Sequence, residues 1–216
     1  LIQLHSHTTM NMANKIIDLN SIAALVLLAG RHHEAISFLR SALRNTRQLL
    51  SQPLLAEIEV TNTPVKQTIE CVSMAPYSSS NSGDSTEFTF FNRLFSMRNA
   101  ITTQDHSQLA LIILFNISVA HHNNGISNCS SKELSVAMKY YTMALELIHH
   151  VAEENEQDHL LLVTLAIWNN MGSIHSQFFN ATEAEKCANW MEELVYCCDC
   201  STLEDGDYTF FHVNML

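Results

Sequence analysis

Apolar residues recur at helical spacing in three separate stretches of this chain. Between residues 10 and 29, Ile16, Leu19, Ile22, Ala23, Val26 and Leu27 fall on one 3.6-residue stripe, which predicts a helix closed by the left-handed turn that Gly30 can supply. From His33 to about Leu50, Ala35, Ile36, Leu39, Ala42 and Leu43 form a returning stripe that ends before Pro53. A second pair is predicted over 105–152. Leu111, Leu114, Ile117, Ser118 and His121 lie on its first helix, Gly125 in the loop, and Ala137, Tyr141 and Ala144 on its second helix. A third pair spans about 159–198, with Leu165, Trp168, Met171, Gly172 and His175, then Ala184, Ala188 and Met191. Asp105 with Gln108, Ser130 with Glu133, and Thr182 with Glu185 have capping-box spacing at three of the helix starts. Asn123–Cys129 reads as a loop longer than its counterpart in the first pair, and Glu153–Asp158 as an acidic surface turn.

Residues 51–104 break this rhythm. Val65–Met74 is rich in β-branched residues, Tyr77–Thr86 is a Ser-rich loop, and Phe88–Phe95 is aromatic. Tyr208, Phe210, Phe211 and Val213 repeat the aromatic character near the end. A lone strand can neither satisfy its backbone nor bury a face. The segments 67–75, 87–95 and 208–215 are therefore expected to pair as a small antiparallel sheet. The expectation is one mainly α domain over 1–216: helix pairs at about 10–50, 105–152 and 159–198, an insertion at 51–104, and a C-terminal strand.

A helix pair that recurs cannot bury its apolar face alone and stacks on its neighbours. The three copies resemble the tetratricopeptide repeat. Trp168, Met171-Gly172 and His175 match that family's first helix, and Ala184 its second, while Ala188 and Met191 depart from it. Tyr141 and Ala144 match in the second copy, where Ser118 replaces Gly and seven extra residues enter the loop. Gly30, Ala35 and Ala42 match in the first, with Leu39 for the aromatic. The layout is also similar to a class of tetratricopeptide-like proteins numerous in diatoms. Those combine Asn-Met-Gly helices like Asn170-Met171-Gly172 with an aromatic segment like Phe91-Asn92-Arg93. The resemblance implies a superhelix of antiparallel helix pairs that binds protein or peptide on its concave face.

Charge narrows the partner. The net charge is −11, and all of it lies beyond residue 108, where three basic residues face fourteen acidic ones. Such a half repels phosphate backbones and anionic membranes and favours a basic partner or simply solubility. The runs Ile22–Ala29 and Leu109–Phe115 are short of the ~18–20 residues that span a bilayer. Six irregularly spaced cysteines suggest reduced thiols and a cytoplasmic or nuclear location rather than a disulfide framework. The chain starts at Leu1 rather than Met, which leaves room for a preceding segment.

No nucleophile elbow, phosphate loop or zincin motif is present, so no catalytic residue, enzymatic activity or cofactor is expected. Cys197 and Cys200 form one Cys-x-x-Cys, half of a zinc site; Cys187 and His212 are the nearest additions. No metal is assigned, although the Cys187/Cys197/Cys200 cluster offers an alternative reading as a small regulatory or metal sensor. The doublets His32-His33, His121-His122 and His149-His150 point ~100° apart on a helix and make poor paired ligands. His175 is expected to pack inward.

Carried over from the family, the concave face comprises Asn20, Ala24 and Leu27, then Phe115, Val119, His122 and Asn123, then Asn169, Ser173, Ser176 and Gln177. It lacks the Lys and Arg that clamp acidic tails in some members. An amide- and aromatic-lined groove suits a peptide with apolar anchors. The competing expectation is that these residues pack on each other or on the 51–104 insertion.

Overall fold

The computed structural model describes residues 2–51, 68–73, 88–98, 106–152, 159–197 and 210–211. Among them lie six helices and two strands: α1 (Ile2–Leu28), α2 (His32–Leu50), β1 (Thr68–Ser73), β2 (Arg93–Arg98), α3 (His106–Ser127), α4 (Ser131–Ala152), α5 (His159–Gln177) and α6 (Ala181–Cys197). The protein is mainly helical. Each odd helix packs on the even helix that follows it, α2 packs on α3, and α4 packs on α5, so the pairs follow one another in chain order.

The three pairs close with the same turn. Gly30, Cys129 and Phe179 each take a left-handed backbone, with φ of 73°, 50° and 55°. In each turn the residue after the left-handed one donates its N–H to a carbonyl five residues back: Arg31 to Val26, Ser130 to Gly125, and Asn180 to His175. This is the double hydrogen bond of a Schellman cap, which satisfies carbonyls that the helix end leaves open. The extended loop expected at Asn123–Cys129 is therefore corrected. Helix α3 continues through Ser127, because Asn123, Asn124 and Gly125 are buried against neighbouring elements. Gly125 serves contact rather than the turn: a Cβ there would sit 2.7 Å from Leu134 Cδ2.

Helix α3 is apolar on every side because it is enclosed. Its most apolar 18-residue window has a mean hydropathy of 1.2, enough by length and composition to cross a membrane, and 94% of that window is buried. Such all-round hydrophobicity marks a helix packed on all faces.

Strands β1 and β2 pair antiparallel, with Thr68 opposite Arg98 and Ser73 opposite Arg93. Residues 88–92, expected as strand, have no regular structure. The C-terminal strand is also corrected at the two positions described there, since Phe210 and Phe211 are helical. Their burial is met by rings rather than by a ladder: Phe211 stacks on Phe91 at 5.3 Å and Phe210 meets it edge-on at 5.3 Å. The rest of 208–215, like residues 52–67, 74–87, 99–105 and 153–158, lies outside the described residues.

Candidate functional site

The chain's own residues 88–96 lie in a groove among α1, α3 and α5, the first helices of the three pairs, with hydrogen bonds to each. Four asparagines hold this segment by its main chain. On α5, Asn170 Oδ1 accepts from the Phe91 N–H at 2.8 Å, while its Nδ2 donates to the Phe91 carbonyl at 3.1 Å. On α3, Asn116 does the same for Phe95, with Oδ1 accepting at 2.9 Å and Nδ2 donating at 2.7 Å. On α1, Asn20 adds a second donor to the Phe95 carbonyl at 3.0 Å, and its own Oδ1 accepts from Asn116 Nδ2 at 2.7 Å. Asn169 Nδ2 reaches the Thr89 carbonyl at 2.7 Å, and Asn123 Nδ2 reaches Asn92 Oδ1 at 3.2 Å. A carboxamide carries a donor and an acceptor side by side, so one asparagine can replace both ladder partners of one residue. The contact is independent of side-chain identity at that residue.

Side-chain packing then selects what the main-chain clamps admit. Phe91, Leu94 and Phe95 are each about 1% exposed. Burying such side chains stabilises by roughly 2–3 kcal/mol apiece. Phe95 lies against Phe115 at 4.9 Å, and Arg93 sits over the Phe91 ring at 5.4 Å. Gly172 makes room for Phe88: a Cβ on it would fall 2.5 Å from that ring. Tyr141 is fully buried, and its hydroxyl accepts from Asn170 Nδ2 at 3.0 Å, tying α4 to the clamp. Burial drives its phenol pKa well above the usual range.

His122 is the anomaly of the groove. It is fully buried, with Phe90 packed on its ring at 4.0 Å and Tyr141 edge-on at 6.2 Å. Neither ring nitrogen has a hydrogen-bond partner. Burial alone lowers its pKa to about 3, so the ring is neutral. The Oδ1 of Asn169 is likewise buried and unpartnered. Buried polar groups are nearly always paired, and each exception calls for an explanation.

Most of the residues expected on a concave face are covered. Asn20, Phe115, Val119, His122, Asn123, Asn169 and Ser173 are buried; Ser176 is half-buried and Gln177 exposed. The groove is therefore not an open surface: its contents are the segment 88–96. The two residues that do most of the holding, Asn116 and Asn170, were not among the expected site residues. Their signal was an amide inside an apolar helical run, two positions before Ser118 and Gly172 respectively, where burial demands a partner.

A second cluster lies outside this groove, at a cleft of about 540 Å³ lined by residues of α2, α3 and α4. His121 Nδ1 lies 2.6 Å from Glu133 Oε2, and its Nε2 lies 3.4 Å from Arg40 Nη2. This arrangement fits a neutral ring that donates to Glu133 and accepts from Arg40. Burial lowers the His121 pKa despite the carboxylate. Ser130 Oγ accepts the Glu133 N–H at 3.4 Å, one half of the expected capping box, while the Glu133 carboxylate faces His121 instead of returning to Ser130. The doublet splits as helical geometry requires, His121 toward the cleft and His122 into the groove. His175 is half-buried, and burial lowers its pKa. Cys187 is buried and its thiol is pushed up to about 12, which leaves it protonated. No metal-holding group of three exists among the described residues, and Cys198, Cys200 and His212 lie outside them.

No protein-family model, curated protein or solved structure matches this chain.

Proposed function

We propose that the chain is a non-enzymatic binding scaffold of stacked, tetratricopeptide-like helix pairs. Its inner groove takes up a non-helical polypeptide segment, and residues 88–96 are the resident occupant that a partner segment replaces. The observation carrying this reading is the paired grip of Asn116 on Phe95 and of Asn170 on Phe91, four residues apart. Main-chain hydrogen bonds supply affinity for any segment, and the pockets around the two rings supply selectivity. The occupant carries Arg93, is followed by Arg98, and has no acidic residue, which supports a basic partner for an acidic protein. Tethering gives the resident segment an effective concentration on the order of millimolar, so a free competitor binds weakly until the tethered one is loosened.

A labelled peptide with the sequence of residues 88–98 tests this directly. Phe91→Leu keeps an apolar side chain but loses the ring contacts with Phe95 and Phe211. By fluorescence anisotropy, the peptide is expected to bind the Phe91→Leu chain at least tenfold more tightly than the unaltered chain. Adding Asn170→Ala should remove that binding. Equal, undetectable binding to the folded Phe91→Leu chain and the unaltered chain would reject the reading.

A further inference from the structure

We propose that the groove is built for a segment bearing a carboxamide side chain, best a glutamine, at the position where the chain places Phe90, followed at once by the first buried aromatic and four residues later by the second. The inference rests on the groove reading above and adds the chemistry of the partner. The resident segment satisfies the groove everywhere except at one place. Phe95 and Phe91 have both main-chain groups paired, and their rings are enclosed. At Phe90 the match fails: His122 is fully buried with both ring nitrogens unpaired beneath an aromatic ring, and Asn169, which grips the Thr89 carbonyl, keeps an unpaired oxygen.

A neutral imidazole has one N–H to give and one lone pair to fill, and Asn169 Oδ1 needs a donor. Phenylalanine can supply none of these. A carboxamide presents an N–H₂ and a C=O on one flexible arm and can answer both needs of the histidine. A carboxylate could only accept, and an ammonium could only donate. Phe90 itself is half-buried, so a glutamine there keeps its polar end within reach of water before docking. The chain's own segment is then an imperfect occupant, held by tethering and displaced by a segment that completes the site.

The test begins within the intact chain, where no exchange is needed. Phe90→Gln, Phe90→Leu and Phe90→Ala are compared by hydrogen exchange at the Phe91 amide and by the ¹⁵N resonances of the His122 ring. Phe90→Gln is expected to protect that amide roughly tenfold more than Phe90→Ala and to shift the ring nitrogens to hydrogen-bonded values. Peptides 88–98 with Phe or Gln at the third position are then titrated into the Phe91→Leu chain, where the Gln peptide should bind more tightly. Protection in Phe90→Gln no greater than in Phe90→Ala, with unmoved histidine resonances, overturns the inference even where peptides bind. A protected Phe90→Gln amide with no peptide binding upholds the groove's chemistry while rejecting the exchange.

Discussion

Asn170 and Phe91, 79 residues apart, are joined by two hydrogen bonds that close a ring between a helix side chain and a main-chain residue. The same ring forms between Asn116 and Phe95. These contacts fasten the chain's own residues 88–96 to the helices by their backbone. The Asn-Met-Gly helix and the Phe-Asn-Arg segment meet through this contact, with Gly172 under Phe88 completing the seat.

Asn170→Ala leaves the buried Phe91 N–H and C=O without their asparagine partner; Asn116→Ala does the same to the Phe95 N–H and Asn20 Oδ1, while Asn20 still donates to the Phe95 carbonyl. Asn170→Ala and Asn116→Ala are each expected to lower unfolding free energy by about 2–4 kcal/mol, measured by urea denaturation. Losses under about 0.5 kcal/mol would mean that water replaces the amide and the grip is incidental.

Gly172 and Phe88 should behave as a coupled pair. Gly172→Ala alone pushes the Phe88 ring away and is expected to destabilise. In a Phe88→Ala background the same change should stabilise by up to ~1 kcal/mol, since alanine is the better helix former. A double-mutant cycle reads the coupling. Equal effects in both backgrounds would show that the ring does not rest on Gly172.

Acid should weaken the protein through His122. Its folded pKa, near 3, lies below the ordinary value of 6.5, so the unfolded chain binds more protons between those values. Stability from this group is present above pH 6.5 and is lost as pH falls. The loss reaches about 2 kcal/mol by pH 5, at 1.36 kcal/mol per unit. His122→Phe should remove that part of the difference between denaturation at pH 7 and at pH 5. An unchanged pH slope would contradict the burial of a neutral ring.

The left-handed turn residues offer a gain. Cys129 and Phe179 hold a conformation that costs a side-chain-bearing residue roughly 1–2 kcal/mol, whereas Gly30 holds it freely. Phe179 is 96% exposed, so little packing is lost on replacing it. Phe179→Gly should raise stability by about 0.5–1 kcal/mol by thermal or urea unfolding. A decrease would reveal a role for the ring that its exposure conceals.

The helices were legible because their stripes are strong. Ile16 and Ala23 are buried, as are Ala35 and Leu39 and Ala137, Tyr141 and Ala144 on the returning helices. The start of α1 was missed because residues 2–9 are mostly polar and carry no stripe. The turn after α3 was missed because Cys129, not a glycine, takes the left-handed position, so Asn123-Asn124-Gly125 looked like the loop. That the expected site residues pack on the insertion was legible in the sequence as the competing expectation, and Asn20, Asn123 and Asn169 do so; which insertion residues they meet was not. An aromatic run such as Phe88–Phe95 signals burial without naming the surface that buries it, and Asn116 and Asn170 show their partners only when residues 21 and 79 positions away are brought to them.

The claim that residues 88–96 are an exchangeable occupant meets its most direct test in native-state hydrogen exchange at the Phe91 and Phe95 amides. If the segment leaves the groove while the helices stay folded, these amides open at a free energy several kcal/mol below that of the α3 core amides, with a small denaturant dependence. Exchange of both amides only through global unfolding, with the same free energy and denaturant slope as α3, would show a permanent core element and contradict the account.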